Sequence, residues 1–288
     1  ENWPDLGNAS GCAEDAAEKF RTLEAQGIGT LVDVTTADMG RDAPFVAALQ
    51  AQTRVNIIVC TGIYNTTPMY WQGRSADEMA RAFVHDISEG VQGTEIRAGI
   101  IKLATPVEGV TPFNDTCLRA GARAHRETGV PITTHAIPEE WGREQQRILR
   151  EEGADLARVV IGHQGNTTDF GYFKELMDAG SCIGIDNCGI DAIEGIPMHD
   201  SAGRVAVVAQ LCADGYADRI VLSHDANSCC DWGILPVILP AETNPNWHYS
   251  YISEAILPAL QERGVGEDQL AQMLVRNLRR LFEAQGAY

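Results

Sequence analysis

Four polar side chains stand at or near the ends of short apolar runs. Lys102 follows Gly-Ile-Ile, His135 follows Ile-Thr-Thr, His163 follows Val-Ile-Gly, and Asp225 follows Leu-Ser-His. Neutral imidazole and carboxylate oxygen are good ligands for zinc and similar divalent metals. Protonated lysine is not a ligand, but carboxylation of its amine by carbon dioxide gives a carbamate that can bridge two metals. The set indicates a divalent-metal site if the fold brings the four side chains together.

Seven short β-branched runs alternate with longer amphipathic stretches, which is the order expected of βα units and a parallel sheet. The four polar residues are 33, 28 and 62 positions apart, or about one, one and two βα units. Active sites of α/β barrels form at the carboxyl ends of the strands, so all four side chains can face one point. The candidate strands are residues 30–34, 55–60, 98–103, 131–135, 158–163, 181–186 and 219–224.

Seven strands in one unbroken run fit a (β/α)8 TIM barrel better than a doubly wound sheet, although a closed barrel requires eight. The chain begins at Glu1 without a methionine and leads directly into a helical segment, so the strand that is not found is most simply the first. We expect one barrel domain over residues 1–288 that is N-terminally incomplete, with C-terminal helices at 248–285 packed against it. The other predicted helices are 13–25, 75–89, 113–128, 143–152, 169–179 and 202–213.

The composition argues against several classes of partner. The chain has 22 Lys and Arg against 40 Asp and Glu, a formal net charge of −18, which repels nucleic-acid phosphates and anionic lipid. No apolar run approaches the length of a membrane span. The eight cysteines form no CxxC pair, and we interpret them as small buried residues in a reducing compartment. These features predict a soluble cytoplasmic protein that binds neither nucleic acid nor membrane.

Several short motifs carry a resemblance to a known family. They are Gly62-Ile-Tyr, Ile87-Ser-Glu-Gly-Val-Gln-Gly-Thr, Thr133-Thr-His, Glu144-Gln-Gln-Arg-Ile-Leu, Ile161-Gly-His and Leu222-Ser-His-Asp. Together they extend over nearly the whole chain. In this pattern the sequence resembles the phosphotriesterase family of the amidohydrolase superfamily, particularly its phosphotriesterase-like lactonase branch.

The resemblance implies a centre of two divalent metal ions, either zinc or one of cobalt, iron and manganese. Lys102 would be N6-carboxylated and would bridge the two ions. His135 and His163 would hold the more exposed metal, and Asp225 the buried one. The family also has a His-x-His pair on the first barrel strand, and this sequence contains no such pair, in agreement with the strand that is not found. A protein without that strand would be expected to be inactive.

The resemblance also implies a reaction and a substrate. A metal-bridging hydroxide would attack a lactone, such as an N-acyl-homoserine lactone in quorum quenching. Hydrolysis of phosphotriesters, the organophosphate esters, would be a side activity. The protein would be a homodimer. Asp225 would accept the proton, and Tyr64 would orient the substrate. Two positions depart from the lactonase pattern, because Asn187 replaces an arginine and Thr66 replaces the second tyrosine of Tyr-x-Tyr. The residues expected to line the substrate pocket are Tyr64, Asn187, Asn227 and Trp232.

Two alternatives stay open on the sequence alone. Lys102 could instead be the Schiff-base nucleophile of an aldolase-type barrel, or the chain could be a degenerate, non-catalytic barrel that binds a ligand or partner. A single histidine at a strand end is more often a hydrogen-bonded structural residue than a ligand, and it is the joint spacing that favours the metal site. His224 is interpreted as structural, because strand alternation directs it away from Asp225.

Overall fold

The computed structural model describes residues 9–137, 140–193, 195–196, 198–228, 239–283 and 286–288. Seven parallel strands form one curled sheet in sequential order, each strand pairing with the next along the chain. This is the barrel architecture that the alternating pattern predicts, and all seven predicted strands are present. Their bounds are β1 Thr30–Asp33, β2 Asn56–Gly62, β3 Ile100–Thr105, β4 Ile132–Ala136, β5 Val159–Ile161, β6 Cys182–Ile185 and β7 Ile220–Leu222.

Helices lie between the strands and at the carboxyl end of the chain. The main ones are α1 Ala9–Ala25, α2 Ala43–Gln50, α3 Ala76–Ser88, α4 Pro112–Thr128, α5 Trp141–Glu151, α6 Phe170–Asp178 and α7 Ser201–Ala213. The C-terminal part contains helical segments Ile252–Ile256, Leu257–Glu262, Glu267–Ala271, Gln272–Arg276 and Asn277–Glu283. Short 3-10 turns occupy Ala37–Met39, Met69–Trp71, Leu156–Arg158, Gln164–Asn166 and Ala217–Arg219.

Helix ends are set by local sequence. At the start of α3 the Ser75 side chain accepts from the Glu78 backbone, and the Glu78 carboxylate accepts from the Ser75 backbone N–H at 2.9 Å. This reciprocal capping box satisfies backbone donors that the first helical turn leaves free. Helix α4 begins after Thr111 with a proline in its first turn and ends at Gly129, whose φ of 75° is the left-handed conformation that closes many helices.

Strand alternation separates the core from the site. In β3, Ile101 and Leu103 are fully buried on the outer face of the sheet, and Leu103 packs so closely on α4 that a Cβ at Gly121 would lie 2.5 Å from its Cδ1. Lys102 lies between them and therefore points to the opposite, inner face. Parallel pairing places Lys102 opposite Thr133, so that His135, two residues further along β4, lies on the same inner face. The register thus directs both polar side chains inward.

Two further predictions concern the membrane and the cysteines. Within the part of the chain that the structure describes, no helix has both the length and the apolarity needed to cross a bilayer. Cys12 is disulfide-bonded, so the expectation of a fully reduced set of cysteines is wrong at that position. Cysteines that are free and buried include Cys60, Cys117, Cys182, Cys188 and Cys212.

Candidate active site

The two histidines predicted as ligands lie against each other at the carboxyl end of the sheet. The ring centroids of His135 and His163 are 4.4 Å apart, with the ring planes at 81°. The Tyr64 hydroxyl lies 3.0 Å from Nδ1 of His135, and the two rings meet edge to face. Tyr64 follows β2, so three neighbouring parts of the sheet, β2, β4 and β5, contribute to one cluster.

Lys102 lies beneath this cluster on β3. Its side chain is buried, and Nζ donates to the backbone carbonyl of Thr134 at 3.3 Å, next to His135 in β4. Gly62 pairs with Lys102 from the other side, and Ile63 N–H donates to the Lys102 carbonyl at 3.1 Å. The lysine backbone is therefore fixed by both neighbouring strands while its amine faces the interior of the curled sheet.

His163 occupies a backbone conformation that few non-glycine residues adopt. Its φ is 59° and its ψ is 37°, in the left-handed region, which ends β5 at Ile161 and turns the side chain away from the strand direction. The Asp186 carboxylate, just beyond β6, accepts from His163 Nδ1 at 2.8 Å and from the His163 backbone N–H at 2.7 Å.

Asp225, three residues beyond the end of β7, is the last of the predicted ligands. It also has a left-handed backbone, with φ 53°, and it is exposed to solvent. Desolvation raises the pKa of its carboxyl and Asp186 adds to that rise, whereas His163 and Lys102 oppose it. Asp225 is thus an electrostatic neighbour of two of the other three predicted ligands.

The electrostatics of the cluster favour neutral imidazole at His135. Burial lowers the pKa of His135 well below its ordinary value, and the positive charges of His163 and Lys102 lower it further. For His163, burial also disfavours the charged ring, but the carboxylates of Asp186 and Asp225 outweigh it and leave the pKa raised. One imidazole is therefore held neutral, and the other is held against a carboxylate.

Tyr64 is oriented by a residue that the sequence analysis did not select. The Asp38 carboxylate accepts from the Tyr64 backbone N–H at 3.0 Å and from the Thr66 hydroxyl at 2.8 Å. Burial raises the pKa of the Tyr64 phenol, and the carboxylates of Asp225 and Asp38 raise it further, so the hydroxyl stays protonated. In the sequence, Asp38 and Asp186 could have been selected as candidates only because each is a carboxylate shortly after a predicted strand.

The other predicted substrate residues are spread more widely. Asn187 is buried, and its backbone carbonyl accepts from Arg204 Nη1 at 2.9 Å. Asn227 is exposed, and its carbonyl lies 3.4 Å from Lys19 Nζ. Trp232 lies outside the described residues. The role of these three side chains in binding a substrate stays a prediction.

His224 lies on the other side of β7 from the cluster. Its ring packs 4.7 Å from that of Tyr249, and its Nδ1 accepts from Ala226 N–H at 3.0 Å. Burial lowers its pKa to about 4. These contacts are those of a structural histidine.

The donor set suits a divalent metal, although the ligands are not fully assembled. Among the described residues, no three His, Cys, Asp or Glu side chains are grouped closely enough to hold a metal ion. Lys102 and His135 nevertheless adjoin His163, which in turn is an electrostatic neighbour of Asp225. Two imidazoles, a carboxylate and a buried amine in one place can bind hard or borderline divalent cations once the amine is neutral or carboxylated.

Comparison with known proteins decides the family. Residues 7–282 match the model of the phosphotriesterase family. The chain belongs to this family. An aryldialkylphosphatase of Saccharolobus solfataricus is 37% identical over 285 residues, which span 98% of this chain and 89% of that protein. The phosphotriesterase family generally has a binuclear metal centre, and the members compared here are hydrolases, as is this chain.

Solved structures agree in fold as well as in sequence. The phosphotriesterase from Mycobacterium tuberculosis superposes with a TM-score of 0.90 at 44% identity, covering 98% of this chain and 88% of that one. An organophosphate hydrolase engineered from a weak promiscuous lactonase superposes with a TM-score of 0.86 at 35% identity, covering 96% of this chain and 87% of that one.

Proposed function

We propose that this phosphotriesterase family member is a metal-dependent lactonase with phosphotriester hydrolysis as a second activity. The observation that carries the proposal is the contact between His135 and His163, which lie ring against ring at the ends of neighbouring strands. Lys102 is buried on the adjacent strand β3, and its Nζ donates to the Thr134 carbonyl next to His135. Asp225, beyond β7, is close enough to His163 and Lys102 to act on them electrostatically.

The residues present fit a binuclear centre. His135 and His163 would hold one divalent metal, Asp225 the other, and a carboxylated Lys102 both, with zinc the ion best matched to this donor set. When bound, such ions lower the pKa of water toward neutrality and polarise a substrate oxygen. Lys102 is buried, and its Nζ lies 3.3 Å from the Thr134 carbonyl in the strand that carries His135, so its amine lies where it could join this centre.

The remaining groups position the substrate and move protons. The Tyr64 hydroxyl reaches the face of His135 and is held by the backbone contact to Asp38, so it can donate to an ester oxygen bound there. The raised pKa of Asp225 suits a carboxylate that accepts a proton from the attacking water and releases it outward.

A lactone is the substrate class that the family resemblance favours, and an N-acyl-homoserine lactone is the specific candidate. The structural neighbour derived from a weak promiscuous lactonase supports a lactone substrate alongside organophosphate esters. Asn187 in place of arginine removes a fixed pair of donors, so we expect weaker discrimination among acyl chains than in members with the guanidinium. We propose a homodimer as the assembly, which sedimentation of the purified protein tests.

Metal analysis with a matched pair of lysine variants tests the proposal. The full-length protein grown with zinc and bicarbonate should contain about two metal ions per chain and should hydrolyse lactones. Lys102→Ala should lose most of the metal and the activity. Lys174→Ala should change neither, because Lys174 is a surface residue on α6 that pairs with Asp214 at 2.8 Å.

Three results would contradict the proposal. A metal content near zero in the active full-length protein would exclude the binuclear centre. Unchanged metal in Lys102→Ala would exclude the bridging role. Trapping of a carbonyl substrate on Lys102 by borohydride, with activity insensitive to chelators, would favour the Schiff-base alternative.

A further inference from the structure

Asp186 has no place in the mechanism above, yet it makes two hydrogen bonds to one predicted ligand. It directly follows β6, and its side chain is largely buried. One oxygen, Oδ1, accepts from both the backbone N–H and the ring Nδ1 of His163, at 2.7 and 2.8 Å. A carboxylate oxygen can only accept, so Nδ1 must carry the proton in this contact. When the imidazole is neutral, its lone pair is therefore on Nε2.

The surrounding backbone is shaped to admit this carboxylate. A Cβ at Gly184 would lie 2.4 Å from Asp186 Oδ2, and a Cβ at Gly162 would lie 3.0 Å from the same atom. The first distance is one that real Cβ atoms do not show, and the second is tighter than nearly all of them. Gly184 in β6 and Gly162, one residue beyond β5, therefore both lie where a side chain would crowd the second oxygen, although at Gly162 the Thr134 carbonyl, 2.1 Å from the added Cβ, also excludes a side chain. The carboxylate occupies a prepared position rather than a chance surface contact.

The backbone of His163 needs the same support. A left-handed backbone is unfavourable for a residue with a Cβ, and here it is what turns the ring away from the line of β5. The hydrogen bond from His163 N–H to Asp186 stabilises that conformation. A single carboxylate thus acts on both the main chain and the ring of the same histidine.

We propose that Asp186 is a positioning residue that selects the Nδ1-protonated tautomer of His163 and holds its Nε2 toward Lys102, His135 and Asp225. The inference rests on the proposed function for its consequence, since Nε2 is then the atom that would bind metal. Partners that orient a ligating histidine in this way typically change metal affinity or activity 10- to 100-fold when removed.

Two variants of nearly equal shape isolate the hydrogen bonds. Asp186→Asn keeps an acceptor oxygen that can face His163, whereas Asp186→Leu keeps the branched shape, is larger, and has no acceptor. Asp191→Asn is the control, because Asp191 lies five residues further along the same loop and accepts from the Ser201 N–H at 2.8 Å and from the Ser201 hydroxyl at 2.7 Å. General weakening of this loop would affect the control as well.

The first measurement is the ¹⁵N chemical shifts of the His163 ring in metal-free protein, at a pH high enough for the ring to be neutral. Wild type and Asp186→Asn should show a protonated Nδ1 and an unprotonated Nε2, and Asp186→Leu should show a mixture of tautomers. The second is zinc affinity by competition with a chelator, where Asp186→Leu should bind about 10- to 100-fold more weakly than wild type. Asp191→Asn should match wild type in both.

The outcomes separate this inference from the proposed function. Wild-type protein that shows the Asp186-dependent tautomer but binds no zinc would sustain the positioning role and defeat the metal-dependent mechanism. A protonated Nε2 in wild type, or ring shifts and zinc affinity that do not change in Asp186→Leu, would overturn the positioning role. If Asp186→Leu proves unstable, Asp186→Ala, which removes both carboxylate oxygens without adding volume, should give the same mixture of tautomers and the same weaker zinc binding.

Discussion

Replacement of Gly62 by alanine should disturb the strand that carries Lys102. Gly62 has a φ of 115°, and a Cβ built on it would lie 2.0 Å from the Lys102 carbonyl oxygen, far inside the 3.4 Å at which ordinary contact begins. That carbonyl is main-chain and is held by the Ile63 N–H at 3.1 Å. The added methyl group cannot be accommodated by rotation of a side chain, so β2 and β3 must separate at this point.

Three contributions set the size of the effect. The backbone conformation is one that alanine rarely adopts, at a cost on the order of 1–3 kcal/mol. Forced displacement in a packed interior costs about 1–3 kcal/mol, and loss of the hydrogen bond from Ile63 costs about 1 kcal/mol. We expect Gly62→Ala to lower the free energy of unfolding by about 4 kcal/mol, a large part of the stability of an ordinary domain.

Urea denaturation of matched variants measures this effect. Gly73→Ala is the control, because Gly73 also has a positive φ of 73° but would place its Cβ within 4 Å of nothing. It should lose only about 1 kcal/mol, the cost of the left-handed backbone. Zinc content of Gly62→Ala should fall as well, since Lys102 moves with its strand. Equal unfolding free energies for the two variants would refute the steric argument.

Two further predictions concern buried polar side chains away from the cluster. Arg204 is fully buried and donates to the Asn187 carbonyl at 2.9 Å and to Asn166 Oδ1 at 3.0 Å. Arg204→Met should destabilise the protein by about 2–4 kcal/mol, because it leaves these two buried acceptors without donors. A urea midpoint at or above that of wild type would contradict this prediction. His125 is fully buried and donates from Nδ1 to the Val130 carbonyl at 2.7 Å, and burial lowers its pKa below 6.5. The neutral His125 ring stabilises the fold fully above pH 6.5, and this stabilisation is lost as the pH falls through the lowered pKa. The unfolding free energy should therefore fall less between pH 7 and pH 5 in His125→Gln than in wild type. Equal falls in the two proteins would exclude His125 as a cause of the pH dependence.

The strands could be predicted because their pattern is local. Apolar residues on both sides of Lys102 already indicate a strand buried on its outer face, and the spacing of the polar strand ends places them at one edge. The predicted ends of two strands were too long for a physical reason. β5 stops at Ile161 and β7 at Leu222, shortly before His163 and Asp225, which adopt left-handed backbones. A positive φ at a non-glycine residue cannot be predicted from the pattern of apolar and polar side chains.

What the sequence could not provide is contact between distant residues. Asp186 reaches His163 across 23 positions, and Asp38 reaches the Tyr64 backbone across 26. A carboxylate after a strand is common, and only the register of neighbouring strands determines which histidine or amide it meets. Helix α2 was missed for a different reason, because its 8 residues are too few for a clear apolar period, although Asp42 caps it by accepting from the Phe45 N–H at 2.9 Å.

Backbone strain supports the same assignment of function as the side chains do. Within the described residues, the non-glycine positions with positive φ are Gln92, His163 and Asp225, and two of these three are predicted metal ligands. Such conformations cost free energy and persist where the surrounding structure imposes them, which happens most often at functional sites. Both His163 and Asp225 come shortly after a strand, and each acts electrostatically on the other. The strained positions therefore coincide with the proposed ligands at the carboxyl edge of the sheet, which is where a barrel of this kind places its active site.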